Sequence, residues 1–136
     1  MVRHFRELRV YQQAFKAAQE IYALSKSWPK EERYALTDQI RRASRSVCAN
    51  IAEAWRKRRY ERHFVSKLSD ADADAAETQV WLDFTVDAGL ISSEQYQSLN
   101  QRYETIIGGL VKMMAKPTSW CAPSSLIKEE EVPYKL

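Results

Sequence analysis

The sequence predicts an all-α fold, an antiparallel up-down-up-down four-helix bundle with a mostly irregular C-terminal tail, and three observations carry that reading. Apolar residues recur at the helical period of about 3.6 residues through most of the chain. Only three glycines and four prolines occur in 136 residues, so long helices joined by short links are expected. The periodic stretches are separated by residues that open or close helices, namely Pro29, Gly89 and Pro117. A chain of this length makes one domain whose folding hides roughly two thirds of the surface exposed in the unfolded state. Residues 1–116 are read as the bundle and 117–136 as the tail.

The first helix is expected from about Arg6 to Ser27. It carries one apolar stripe of Leu8, Tyr11, Phe15, Ala18 and Tyr22 and an adjacent one of Val10, Ala14, Ala17, Ile21 and Leu24. Two neighbouring stripes predict a wide buried face. Ser27-Trp28-Pro29-Lys30-Glu31-Glu32 reads as a link and a restart, because proline suits a first helical turn and glutamates there complement the helix dipole. Thr37 is a candidate cap for the second helix, which reaches about Arg58. Its apolar side is Leu36, Ile40, Ala43, Val47, Ile51 and Ala54.

The third helix, about Tyr60 to Ala88, lines up Phe64, Leu68, Ala71, Ala75, Leu82 and Val86, with Gly89 placed to end it in a left-handed conformation. Ser92 and Gln95 have capping-box spacing for a fourth helix, which presents Tyr96, Leu99, Tyr103, Ile106, Leu110 and Met113 and stops at Pro117. Gly108-Gly109 inside it weakens the helix, which predicts a close helix approach or a bend there. The tail holds three prolines and Glu129-Glu130-Glu131 and reads as a segment without its own core. Docking through Trp120, Leu126, Ile127 and Tyr134 is the alternative.

The net charge of +3 is mild, but its distribution is not. From Arg41 to Arg62 the chain has Arg41, Arg42, Arg45, Arg56, Lys57, Arg58, Arg59 and Arg62 against Glu53 and Glu61. From Leu68 to Gln101 it has no Lys or Arg against Asp70, Asp72, Asp74, Glu77, Asp83, Asp87 and Glu94. At 100° per residue, Arg41, Arg42, Arg45, Arg56 and Arg59 fall opposite the apolar side of the second helix. Guanidinium groups bind phosphates bidentately, so this strip is a candidate nucleic-acid surface, completed by Lys57, Arg58 and Arg62. Tyr60 and Trp55 lie near enough to stack on bases, although Trp55 also suits the core margin.

Asp70, Asp74 and Glu77 share a helical face that ends in Trp81, and Val80, Trp81 and Phe84 lie off the core stripe of the third helix. Large apolar groups outside a monomer core mark a covered surface, so these six residues form a candidate oligomer interface. Its acids offer partners for the arginines of a neighbour. Asp70-Ala71-Asp72-Ala73-Asp74 starts like a calcium loop, but the sixth position is Ala75 rather than glycine and the twelfth is Trp81 rather than glutamate. Asn50 and Glu53 flank the core side of the second helix, where structural hydrogen bonds or registration of an association are expected of them.

Cys48 and Cys121 suit neither a disulfide framework nor a zinc site, and no leader-like apolar run opens the sequence, so a soluble protein of a reducing cytoplasm is expected. His4 and His63 lack metal-ligand spacing. No glycine-rich phosphate loop or nucleophile elbow occurs, so the expectation is a protein without catalysis, metal or cofactor.

Four blocks resemble a known family: Phe5-Arg6-Glu7-Leu8-Arg9-Val10-Tyr11-Gln12, Trp28 through Ala43, Asn50-Ile51-Ala52-Glu53, and Glu77-Thr78-Gln79. Over roughly residues 3 to 115 the chain is similar to bacterial four-helix-bundle proteins first noticed as products of intervening sequences in large-subunit ribosomal RNA genes. That family looks related to the accessory protein of diversity-generating retroelements, a basic, barrel-shaped homopentamer that binds nucleic acid and a reverse transcriptase. The resemblance implies a pentameric homo-oligomer with RNA or DNA and a reverse-transcriptase-like or other protein as partners. Two sites differ from the family pattern: Ala54-Trp55 stands where a glycine commonly follows the Asn-Ile-Ala-Glu block, and Asp70 and Asp72 replace basic or small residues.

Together these features predict noncatalytic binding of nucleic acid or a ribonucleoprotein by a homo-oligomer through the basic face of the second helix. The alternative is an assembly module, without nucleic acid, whose basic face pairs with the acidic third-helix face of the next subunit.

Overall fold

In the computed structural model, which describes residues 1–121, four helices form the bundle: α1 (Arg9–Ser25), α2 (Asp38–Arg56), α3 (Glu61–Asp87) and α4 (Ser93–Ala115). The main packing runs around a ring, α1 against α2, α2 against α3, α3 against α4 and α4 against α1. Links of four and five residues after α2 and α3, and a longer one with two turns after α1, leave consecutive helices packed as neighbours, so the chain runs up, down, up and down. The core is filled along each helix by the periodic residues, among them Ile21, Ile40, Val47, Ile51, Phe64, Leu68, Leu82, Leu99, Ile106 and Leu110, all fully or almost fully buried. Truncating any of these large aliphatic side chains to alanine costs about 2–5 kcal/mol by lost transfer energy and residual cavity.

The α2 stripe is the clearest match between pattern and packing. Leu36, Ile40, Ala43, Val47, Ile51 and Ala54 are all buried. On α1 only the stripe of Val10, Ala14, Ala17 and Ile21 is fully packed, joined by Leu8 and Ala18. The expected wide face is narrower than that, because Phe15 and Tyr22 remain exposed at 46% and 39%. The stripe from Leu8 to Tyr22 divides: Leu8 and Ala18 are buried, whereas Tyr11, Phe15 and Tyr22 line a groove beside α2.

Helix ends follow the local chemistry. Gly89 adopts φ +74° at the end of α3, where its N–H donates to the Val86 carbonyl at 3.0 Å and that of Leu90 to the Thr85 carbonyl at 3.1 Å, a Schellman arrangement. Ser92 and Gln95 close a reciprocal capping box on α4, with bonds of 3.0 and 2.9 Å. Thr37 does not cap α2. It is buried in a helical conformation at the end of a wide π turn, Arg33–Thr37, that runs straight into the helix, so no capping geometry arises. Pro29 sits one residue ahead of the turn Lys30–Glu32 rather than inside it.

Beyond α4, the turn Pro117–Ser119 brings Trp120 edge-on to Trp55, with centroids 6.5 Å apart. Trp120 is thus partly buried against the bundle. Leu126, Ile127 and Tyr134 lie outside the described residues.

Polar side chains fix the register between neighbouring helices. The Asn50 amide donates to Asp74 at 2.7 Å, and Lys67 pairs with Glu53 at 3.1 Å, both joining α2 to α3. Gln79 of α3 reaches Asn100 and Glu104 of α4, and the Tyr96 hydroxyl donates to Asp83 at 2.6 Å. Arg102 meets Glu20 across the α1–α4 seam at 3.0 Å. At that seam a Cβ on Gly109 would lie 2.5 Å from Cγ1 of Val10, so the helices meet there at a distance that only glycine permits, whereas a Cβ on Gly108 meets open space.

Valine in a helix has little rotamer freedom with which to yield. Gly109→Ala is therefore expected to lower stability by ~1–3 kcal/mol, and Gly108→Ala to raise it by ~0.5–1 kcal/mol. Urea midpoints at unchanged slope measure both. Equal effects of the two substitutions would contradict the close approach.

Candidate nucleic-acid interface

One helix, α2, positions most of the basic residues. The period that sends Ile40, Val47 and Ile51 inward sends Arg42 and Arg45 to solvent near its start and Arg56 to solvent at its end. The α2–α3 link and the first turn of α3 add Lys57, Arg59 and Arg62, all exposed. The strip is not continuous. Arg45 and Arg56 are ~16 Å apart at 1.5 Å rise per residue, and Cys48, Ala49 and Ala52 lie between the two groups.

Several of the expected strip residues are engaged within the protomer, Arg41 and Arg58 most closely. Arg41 is half-buried, its Nε donates to Ser25 Oγ at 2.8 Å, and its guanidinium lies 4.6 Å from the Tyr22 ring centroid. Arg58 lies only 3.6 Å from the Trp55 ring centroid and donates to the Trp55 carbonyl at 2.8 Å. Its role is to cover the indole. Trp55 itself is buried between Arg58 and Trp120 and offers no stacking face, whereas Tyr60 is 58% exposed. The Arg45 guanidinium also lies over Tyr22, at 5.1 Å, but its side chain is exposed.

Between the two basic groups, the outer residues of α1 and α2 frame a groove of about 620 Å³, lined by Phe5, Tyr11, Phe15, Tyr22, Arg45 and Cys48 among others. Phe5 meets Tyr11 edge-on at 5.0 Å, and Tyr11 stacks on Phe15 at 6.0 Å, so an aromatic row runs along one wall. The groove has no reactive thiol. Burial pushes the Cys48 thiol up to about 11, so it is protonated at neutral pH. The signal for this row was visible in the sequence as the first α1 stripe, whose partial exposure periodicity alone does not reveal.

The acidic side of α3 carries its own internal partners. Asp74 accepts from Asn50, and Asp70 lies 3.6 Å from Lys67. Glu77 accepts from the Trp81 indole N–H at 3.0 Å. Burial holds Asp74 above the usual carboxylate range, against the lowering effect of the Asn50 amide. The salt bridge to Glu53 raises Lys67 in turn. The three apolar residues of the same helix divide: Val80 and Phe84 are exposed at 48% and 56%, while Trp81 is half-buried, packs on the core and lies 5.9 Å from the Phe84 ring. Among the described residues, no group of three or more His, Cys, Asp and Glu side chains is arranged to hold a metal ion. No described helix is long and apolar enough to cross a membrane.

Comparison with known proteins agrees with this architecture. A crystal structure of a protein of unknown function from the S23 ribosomal protein family of Bacteroides thetaiotaomicron is similar at a TM-score of 0.70 and 30% sequence identity, covering 78% of this chain and 95% of that one. No curated protein matches the chain. Residues 6–112, which span all of α1 to α3 and most of α4, match the model of the 23S rRNA-intervening sequence proteins, and the chain belongs to that family.

Proposed function

We propose that this protein is a noncatalytic homo-oligomer that binds nucleic acid along the outer face of α2 and the α2–α3 corner. The observation that carries the reading is the segregation of charge: Arg42, Arg45, Lys57, Arg59 and Arg62 are exposed, while Asp70, Asp74 and Glu77 are partnered inside their own protomer. A partner that supplies anions at intervals along its length satisfies such a surface, and a phosphate backbone does so. The two separated basic groups suit a strand that spans the intervening groove.

Assembly is supported by apolar surface on two different faces. Phe15 and Tyr22 border the α1–α2 groove, and Val80 and Phe84 stand on the outside of α3. Contact between unlike patches of successive copies is heterologous and closes into a ring when the rotation allows. The resemblance to the barrel-shaped accessory protein supports a ring of five.

If the strip contacts about four to six phosphates of a single strand, the logarithm of affinity falls with the logarithm of salt at a slope of about −3 to −4. Fluorescence anisotropy with a labelled RNA, from about 50 to 200 mM salt, measures it. Binding that ignores salt, or none at the low end, would overturn the proposal.

In the competing reading the arginines hold the subunits together and bind no nucleic acid. Light scattering on Arg45→Glu separates the two. The nucleic-acid reading expects an unchanged mass with weakened RNA binding, and Phe84→Asp is expected to reduce the mass. Dissociation by Arg45→Glu would favour the assembly reading.

A further inference from the structure

The link between α2 and α3 presents an aromatic pair in a basic surround. Lys57 donates its backbone N–H to the carbonyls of Glu53 and Ala54, at 3.1 and 3.0 Å, and the Tyr60 N–H donates to the Lys57 carbonyl at 3.0 Å. The Tyr60 carbonyl in turn accepts from Phe64 at 3.0 Å. Both backbone groups of Tyr60 are therefore committed, and its ring leaves a fixed position at the start of α3. That ring is 58% exposed and lies 5.3 Å from the ring of His63, tilted by 56°.

Arg59, Tyr60, Glu61, Arg62, His63, Thr118 and Cys121 line a concave surface of about 670 Å³ around the pair. Glu61 is the one carboxylate among those seven. Lys57, Arg59 and Arg62 are exposed beside it. Across the protomer, Trp55 is sealed by Arg58 and Trp120, and Trp81 is half-buried and hydrogen-bonded to Glu77. The other exposed rings differ: Phe15 borders the apolar groove, Phe84 neighbours Trp81, and the faces of Tyr22 and Tyr34 are already met by cations of the protomer, Tyr22 by Lys26, Arg41 and Arg45 at 5.1, 4.6 and 5.1 Å and Tyr34 by Arg33 at 5.8 Å. Tyr60 thus joins an exposed ring to the cations Arg59 and Arg62 that line the same concave surface.

Resting on the proposed nucleic-acid function, we infer that the Tyr60–His63 corner is a base-stacking platform that takes an unpaired nucleotide, so the protein prefers a single strand, loop or end to a duplex. A duplex hides the faces of its bases and offers only phosphates to this corner. An unpaired base lies on the Tyr60 ring while Arg59, Arg62 and Lys57 meet the flanking phosphates. Stacking of this kind tolerates any base, because each has a π-face.

The test uses the full chain and a short fluorescein-labelled RNA, either single-stranded or annealed to its complement, in anisotropy titrations at low salt. The wild type is expected to bind the single strand more tightly than the duplex. Tyr60→Leu removes the ring without changing charge and is expected to weaken single-strand binding roughly 5- to 100-fold, with duplex binding unchanged. Tyr60→Trp keeps a stacking face and is expected to restore the preference. Circular dichroism and light scattering on each variant report an intact bundle.

Equal affinity of the wild type for both forms, or Tyr60→Leu binding the single strand as the wild type does, would overturn the platform while leaving the basic face standing. Loss of binding to both forms in folded Tyr60→Leu would also overturn it, since that ring would then not be selective. Failure of the wild type to bind either form would overturn the nucleic-acid reading itself.

Discussion

Everything in this molecule depends on how α2 divides its surface. Its inward side carries Ile40, Ala43, Val47, Ile51 and Ala54, packed between α1 and α3 with almost no exposure. Alanines alternate there with β-branched residues, so neighbouring helices approach closely without voids. The same helical period then turns Arg42, Arg45 and Arg56 outward and leaves Arg41 half-buried at the α1 seam. Core formation and presentation of cations are one constraint on one element, and a residue inserted or removed within α2 would disturb both.

Several polar residues of the sequence blocks that suggested the family serve as pins between elements. Asn50 and Glu53 bind across to Asp74 and Lys67, which fixes α2 on α3. Gln79 reaches α4, and the buried Thr78 hydroxyl returns to the Asp74 carbonyl at 2.8 Å. Near the start, Gln12 donates to the Arg6 carbonyl at 2.9 Å and ties the first turn to α1. These residues hold the scaffold, so the chemistry of the surface must be read from the exposed side chains of this chain itself.

Much of the architecture was legible because helical periodicity and local caps depend on near neighbours. The Ser92–Gln95 box and the Gly89 terminus each follow from a few residues, the Gly108-Gly109 pair signalled a close approach or a bend without telling which glycine meets Val10, and the predicted ends of all four helices lie within three residues of those observed. What was missed depends on contacts remote in sequence. Nothing near Phe15 or Tyr22 shows that this side of α1 borders a groove, and nothing near Arg58 shows that Trp120 returns to seal Trp55. Thr37 failed as a cap because the π turn before it keeps the backbone helical. For the site, charge segregation was readable, but the split of the strip into two groups and the internal partners of Asp70, Asp74 and Glu77 emerge only from three-dimensional packing.

The central claim is that the outward arginines of α2 and the following corner hold an anionic strand. Arginine-selective labelling with phenylglyoxal, followed by mass spectrometry with and without bound RNA, examines it most directly. The account predicts rapid labelling of Arg42, Arg45, Arg59 and Arg62 in the free protein, slow labelling of Arg58, and protection of the first four by RNA. Sluggish labelling of those four in the free protein, or labelling unchanged by saturating RNA, would contradict it.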